Sequence, residues 1–186
     1  MISEPFLRSL LPAARRVVAL GALVSLSMCN LDHVDFTAGG KASIPKGTLL
    51  GSLLGSLAFT GFDSVDFSEQ FQNQGVTKGE VSSVHLKSFT LTIDAPAGGN
   101  FDFIQSVAFF AEADGVDKVQ IASMDSIPKG KTELDLIVNA DAELEPFVVA
   151  PSMTISSQVK GTQPDEDTTV SAAAVLDVEV HIPGCN

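Results

Sequence analysis

From Val81 onward the chain alternates apolar and polar residues with a period of two. In TTVSAAAVLDVEVHI, Val170, Ala172, Ala174, Leu176, Val178, Val180 and Ile182 share one face, while Asp177, Glu179 and His181 share the other. Successive side chains of an extended chain point to opposite sides, so this stretch reads as a long strand with one wet face. The same rhythm places Leu134, Leu136, Val138 and Ala140 together in TELDLIVNAD, and Met153, Ile155, Ser157 and Val159 together in SMTISSQVKG. NFDFIQSVAFFAEAD is apolar on both faces. Phe101, Phe103, Val107, Phe109 and Ala111 lie on one and Ile104, Ala108 and Phe110 on the other, which predicts a central or covered strand. VSSVHLKSFTLTID changes phase between Val84-x-Leu86 and Phe89-x-Leu91-x-Ile93. A β-bulge near Lys87-Ser88 would absorb the extra residue and keep both halves facing the core.

Turn chemistry separates these runs at APAGGN, ADGVD, IPKGK and GTQPDED. With DHVDF, KASIP and SVDF upstream, the spacing predicts an all-β fold, an antiparallel sandwich of about eight strands with Greek-key or Ig-like wiring. SIPKG occurs twice, from Ser43 and from Ser126, and the sequences that follow diverge at once. Pro followed two residues later by Gly suits a tight turn, so we read two independent turns. Helix is scarce: AELEPFVV offers a single turn before Pro151. Between Gly47 and Phe62, Leu49, Leu50, Leu53, Leu54 and Leu57 recur at helical spacing among Gly47, Gly51 and Gly55. Each glycine weakens a helix by ~1 kcal/mol, so a core-covering crossover, helical or irregular, is expected.

The first residues read as an export leader. Arg8, Arg15 and Arg16 precede an uncharged apolar run, Val17 to Met28, too short to span a bilayer core, which needs ~20 residues. Residues 1–28 are therefore expected to be a cleaved signal peptide and residues 29–186 a single sandwich domain. Cys29 and Cys185 are the only cysteines. Two processing routes stay open. Leu26 and Ser27 resemble a lipobox that would make Cys29 a lipid-bearing N-terminus, although Met28 is large where a small residue belongs. Small residues at Ser25 and Ser27 suit ordinary signal cleavage instead, leaving Cys29 to pair with Cys185 in an oxidising compartment. Both routes place the protein outside the cytoplasm: anchored to the outer membrane, periplasmic or secreted.

Loss of residues 1–28 removes all three arginines and Glu4, which takes the formal net charge from −12 to −14. An acidic surface without arginine repels phosphates, which argues against nucleic acid and anionic membranes as partners. The chain has neither Trp nor Tyr, the usual platforms for sugars, so Phe must supply the aromatic bulk of the core.

Candidate chemistry is thin. No G-x-S-x-G, H-E-x-x-H or C-x-x-C occurs, and His33, His85 and His181 lie far apart on polar strand faces. Carboxylates cluster at Asp63/Asp66/Glu69, Glu112/Asp114/Asp117, Asp141/Glu143/Glu145 (with Asn139) and Asp165/Glu166/Asp167, without the spacing of an EF-hand loop. They read as solvated loops; calcium is not expected, nor any other metal or cofactor, and no catalytic residue stands out. Leader and strand rhythm together resemble exported bacterial envelope proteins of unknown function. That resemblance covers residues 1–29 and a general strand rhythm and carries no function over; the residues themselves read as a non-enzymatic structural or interaction module, for which an unidentified protein is a candidate partner. The alternative is an apolar-ligand or lipid carrier that uses Leu49, Leu50, Leu53, Leu54, Leu57 and Phe59.

Overall fold

Period-two alternation becomes eight strands in the computed structural model, which describes residues 33–47 and 57–181. The strands are β1 (His33–Ile44), β2 (Val81–Ala95), β3 (Ile104–Ala113), β4 (Val116–Met124), β5 (Glu133–Asp135), β6 (Ile137–Val138), β7 (Thr154–Gly161) and β8 (Thr168–Val180). Two short α-helices interrupt them, α1 (Ser68–Gln74) and α2 (Glu145–Val148), with a single 3-10 turn at Lys78–Glu80. The strands form two four-stranded sheets, ordered β1-β8-β2-β5 and β6-β4-β3-β7, with every pairing antiparallel. This is the expected Greek-key sandwich. The expected leader at 1–28, both cysteines, Ile182 and Leu49, Leu50, Leu53 and Leu54 lie outside the described residues.

The wiring follows one rule. The β3–β4 hairpin is enclosed by the β2–β5 pair, that pair by a bridge between Val65 and Met153 at the start of β7, and that bridge by β1–β8. Nested pairs of this kind are what a single long hairpin gives when it is rolled up, the jelly-roll form of the Greek key. The stretch from Phe59 to Val65 carries the chain between layers. Thr60 bonds to Lys41 beside β1, Phe62 O accepts from the Ile155 N–H, and Val65 pairs with Met153.

Phenylalanine fills the space between the sheets. Phe89 of β2 and Phe109 of β3 meet across the sandwich with ring centroids 4.3 Å apart, and Phe59 and Phe62 close around them at 5.5 and 6.0 Å. All four are almost fully buried. Each large apolar side chain removed from water contributes ~1.5–3 kcal/mol, and edge and tilted contacts between rings add to that. At one end Phe36 packs against Phe67 and Phe71, so α1 closes the core there. Its sequence, SEQFQNQ, buries only Phe71, and the pattern of apolar residues therefore gave no warning of it.

The phase change in β2 is a bulge at the expected place. Pairing with β8 slips between Leu86 and Ser88, so that Leu86 and Phe89 both face the core. Two expectations are corrected. DHVDF and KASIP form one strand, β1, running through Gly39-Gly40 without a break. Glycine is needed there for closeness rather than for turning: a Cβ on Gly40 would sit 2.9 Å from the Phe62 ring and 3.0 Å from Phe59. TELDLIV, read as one strand, divides between the sheets: β5 pairs with β2, and β6 pairs with β4. Leu134 and Leu136 keep their buried face, and Ile137, on the opposite side of the chain, is 72% exposed. The two SIPKG copies are independent turns. Both end on glycine at positive φ, 78° at Gly47 and 72° at Gly130.

Candidate functional site

Leu57 and Phe59 are the two described members of the apolar set expected from sequence, and they do line a groove. It lies against β7, has a volume of about 270 Å³ and is shared with Ile155, Ser156, Ser157 and Asp63. Phe59 forms its floor and belongs to the core, with 4% of its surface exposed. Ser157, which falls on the apolar face of β7, explains itself here. Its buried hydroxyl accepts the Leu57 N–H at 2.9 Å and donates to the Leu57 carbonyl at 2.9 Å. One side chain thus satisfies both backbone groups of Leu57.

A larger cleft, about 420 Å³, opens between the turn after β2 and the loop before β8. Gly98, Asn100, Asp102, Thr162, Asp165 and Glu166 contribute to its walls. Two of its polar side chains serve the loops themselves: Asp102 Oδ1 accepts the Gly130 N–H at 2.6 Å, and Asn100 Oδ1 accepts the Asp102 N–H at 3.0 Å.

The densest cluster of titratable and hydroxyl side chains sits on the solvent face of β2. Ser83 and His85 project there beside Glu143, with Ser83 Oγ 3.2 Å from His85 Nε2 and 2.7 Å from Glu143 Oε2. His85 Nδ1 lies 3.1 Å from the Ala142 carbonyl, which can only accept, so Nδ1 carries a proton. A hydrolytic triad needs imidazole to take the serine proton and a carboxylate behind the imidazole. Here the carboxylate takes the serine proton and a backbone carbonyl stands behind the ring, an order suited to anchoring and not to activating a nucleophile. Glu143 Oε1 also accepts the N–H groups of Val84 at 2.7 Å and Glu145 at 3.0 Å, while the Leu144 N–H donates to Val84 O at 2.8 Å. The loop 142–145 therefore imitates a strand along the uncovered half of β2. Partial burial pushes the Glu143 carboxyl up, but the bonds from Ser83, Val84 and Glu145 and the nearby His85 outweigh it and hold it below the usual carboxylate range.

Several other carboxylates turn out to be backbone acceptors. Asp63 receives the Gly61 N–H at 3.0 Å, Asp66 that of Ser68 at 2.9 Å, Glu80 that of Thr77 at 2.8 Å and Asp167 that of Lys46 at 2.8 Å. Sequence clustering did not reveal these roles, although Thr77 and Glu80 stand at the Thr-x-x-Glu spacing of a capping box. Glu112 is paired with Lys118 at 2.8 Å and bonded by Ser156, and both contacts lower its pKa. Lys118 also lies 4.8 Å from the centre of the Phe110 ring, covering the outward-facing aromatic of β3. His33 bonds to Asp177 at 3.0 Å, and all three histidines are exposed. Among the described residues no group of three His, Cys, Asp or Glu gathers at metal-binding distance, and no helix is long and apolar enough to cross a membrane.

No family model and no curated protein matches the chain. Among solved structures, the acid-stable capsid of Helicobacter pylori bacteriophage KHP30 is similar at 12% identity and a TM-score of 0.36, covering 79% of this chain and 98% of that chain. A likeness this loose carries no functional argument.

Proposed function

We propose that this protein is a non-enzymatic, extracytoplasmic structural or interaction module of the bacterial cell envelope. The observation that carries the reading is the filling of the space between the sheets. In a carrier that space would hold the ligand; here Phe59, Phe62, Phe89 and Phe109 occupy it in mutual contact. The leader supplies the compartment, and the side-chain anchors at Val84, Thr37 and Leu57 supply a rigid surface.

The carrier alternative has the groove beside Leu57 and Phe59 in its favour. At about 270 Å³ it falls below the ~300–1,000 Å³ of pockets that bury most of a ligand. Protein purified from its native host decides between the two. Cell fractionation is expected to find the chain outside the cytoplasm without its leader, and organic extraction followed by mass spectrometry to find no stoichiometric lipid. One apolar molecule per chain would establish the carrier. An uncleaved chain in the cytosol would end the envelope reading.

A further inference from the structure

We infer that two copies of this protein dimerise face to face through the outer surface of the β6-β4-β3-β7 sheet, related by a two-fold axis that crosses its strands. The inference deepens the module reading above by naming its partner, a second copy of the chain. The two outer faces of the sandwich differ in charge. On the β1-β8-β2-β5 sheet Asp35, Asp94, Glu133, Asp135, Asp177 and Glu179 face outward, against two lysines, Lys41 and Lys87. Two such faces repel each other. The middle of the other face carries no charge. Ser123, Ala108 and Gln158 form one row across β4, β3 and β7, and Gln120, Phe110 and Ser156 form the next outward row. Ile137 extends the first row onto β6, and it is the large apolar side chain left exposed among the described residues.

Covering this face costs little, because its polar side chains already serve one another. Gln120 Nε2 donates to Ser123 Oγ at 3.2 Å, Lys118 Nζ to Ser156 Oγ at 3.0 Å, and Ser156 to Glu112. Polar groups that keep their partners on docking lose little with their water.

The rows are self-complementary, and this selects a second copy as the occupant. An axis laid across the strands at Phe109, whose register partners are Ala122 and Ser157, turns each strand onto its own copy in reverse. Ala108 then faces the partner's Phe110, Ser123 the partner's Gln120, and Ser156 the partner's Gln158. Each contact sets a small side chain against a large one, which lets two sheets interlock. The ends match in charge. Lys118 on β4 comes over the partner's Asp125, exposed just past the same strand, and Lys160 on β7 over the partner's Thr154, whose neighbour is Glu112. Size points to a reversible association. β3, β4 and β7 have 10, 9 and 8 residues. At ~3.3 Å per residue and ~4.8 Å between strands they lay out roughly 900 Å² in plan for the pair, close to the ~1,000 Å² at which specific interfaces begin.

The test is sedimentation equilibrium of the full chain purified from its native host, from ~1 µM to ~1 mM, the range of a weak specific contact. A monomer–dimer equilibrium that stops at two is expected. Ala108→Glu places a carboxylate near the axis in both copies and should weaken the dimer at least about tenfold. Asp125→Lys, at an exposed position that the fold does not need, should weaken it several-fold with an unchanged melting temperature. Glu179→Lys, on the opposite face, should leave it intact. A chain monomeric throughout the range, oligomers growing past two, loss of the dimer in Glu179→Lys, or dimers indifferent to both other substitutions would each overturn the inference. Cell fractionation reads the envelope assignment separately. A cytosolic chain that dimerises ends that assignment and keeps this inference, and an exported chain that stays monomeric does the reverse.

Discussion

Gln70 of α1 holds Thr37 of β1 as a neighbouring strand would. Its Oε1 accepts the Thr37 N–H at 2.8 Å and its Nε2 donates to the Thr37 carbonyl at 2.9 Å. β1 is the edge of its sheet, and an unpaired edge is a template for another chain. Thr60 pairs with Lys41 four residues on, so the edge is engaged at two points. Gln70→Ala is expected to lower stability by about 1 kcal/mol, the usual worth of such a bond, and to promote self-association at high concentration. Thermal melts and light scattering check both. Unchanged melting and scattering would show that the amide contributes nothing.

Glu143 should make the protein sensitive to acid. Its folded pKa lies below its ordinary value of 4.5, so its contribution is complete above that value. The contribution fades as pH falls through the lower, folded pKa. Glu143→Gln cannot accept from Ser83 and Val84 equally well. It is expected to be less stable at pH 7 by about 1 kcal/mol, allowing for solvent screening of a half-exposed carboxylate, with the gap closing below about pH 4. Denaturant titrations of both proteins across that range measure it; a gap that does not change with pH would remove Glu143 from this role.

The two neighbouring glycines of β1 should respond in opposite ways. A Cβ on Gly39 would meet only Ala172 O at 3.9 Å, whereas one on Gly40 presses on the Phe62 ring and the Cβ of Phe59. Gly39→Ala is expected to be neutral or slightly stabilising, and Gly40→Ala to cost about 1–3 kcal/mol through overpacking. Equal melting temperatures for the two variants would contradict this account of Gly40.

β8 supplies a sharper contrast. Leu176 is 1% exposed at the centre of its sheet, while Glu179 is exposed on the outer face. Leu176→Asp buries an unpaired charge, and the cost exceeds about 4 kcal/mol, enough to unfold most domains of this size. Glu179→Lys should stay within about 0.5 kcal/mol of the original. Circular dichroism melts separate them, and a cooperatively folded Leu176→Asp protein would show that β8 is not central.

Faces were legible in the sequence where apolar residues alternate. The six described members of the expected apolar face of β8, every second residue from Val170 to Val180, are all buried, and the β2 bulge falls where the phase changes. What escaped has one physical character: a side chain acting on backbone remote in sequence. Gln70 and Thr37 are 33 residues apart, Glu143 and Val84 are 59, and Ser157 and Leu57 are 100. Neither propensity nor periodicity encodes such pairs. The carboxylate of Glu143 was visible as a member of an acidic cluster; its work as a substitute strand was not. The split of TELDLIV was hidden for a related reason, because Leu134 and Leu136 stay in phase and both bond to β2, and the change of sheet comes only at Ile137-Val138.

The nested wiring also fixes an order of events. Among the described strands, a chain made or threaded from its N-terminus delivers β1 first, yet the one beside it in its sheet is β8, the last of them. β8 is in turn the bridge that joins β1 to β2. Sheet closure must therefore wait until nearly the whole chain has emerged. Contacts this distant place the fold among the slow topologies, in the range of about milliseconds to seconds. During the wait, β1 has no native strand to pair with, and anything that holds it apart from other chains, in the cell or in a refolding tube, governs the yield of correctly folded protein.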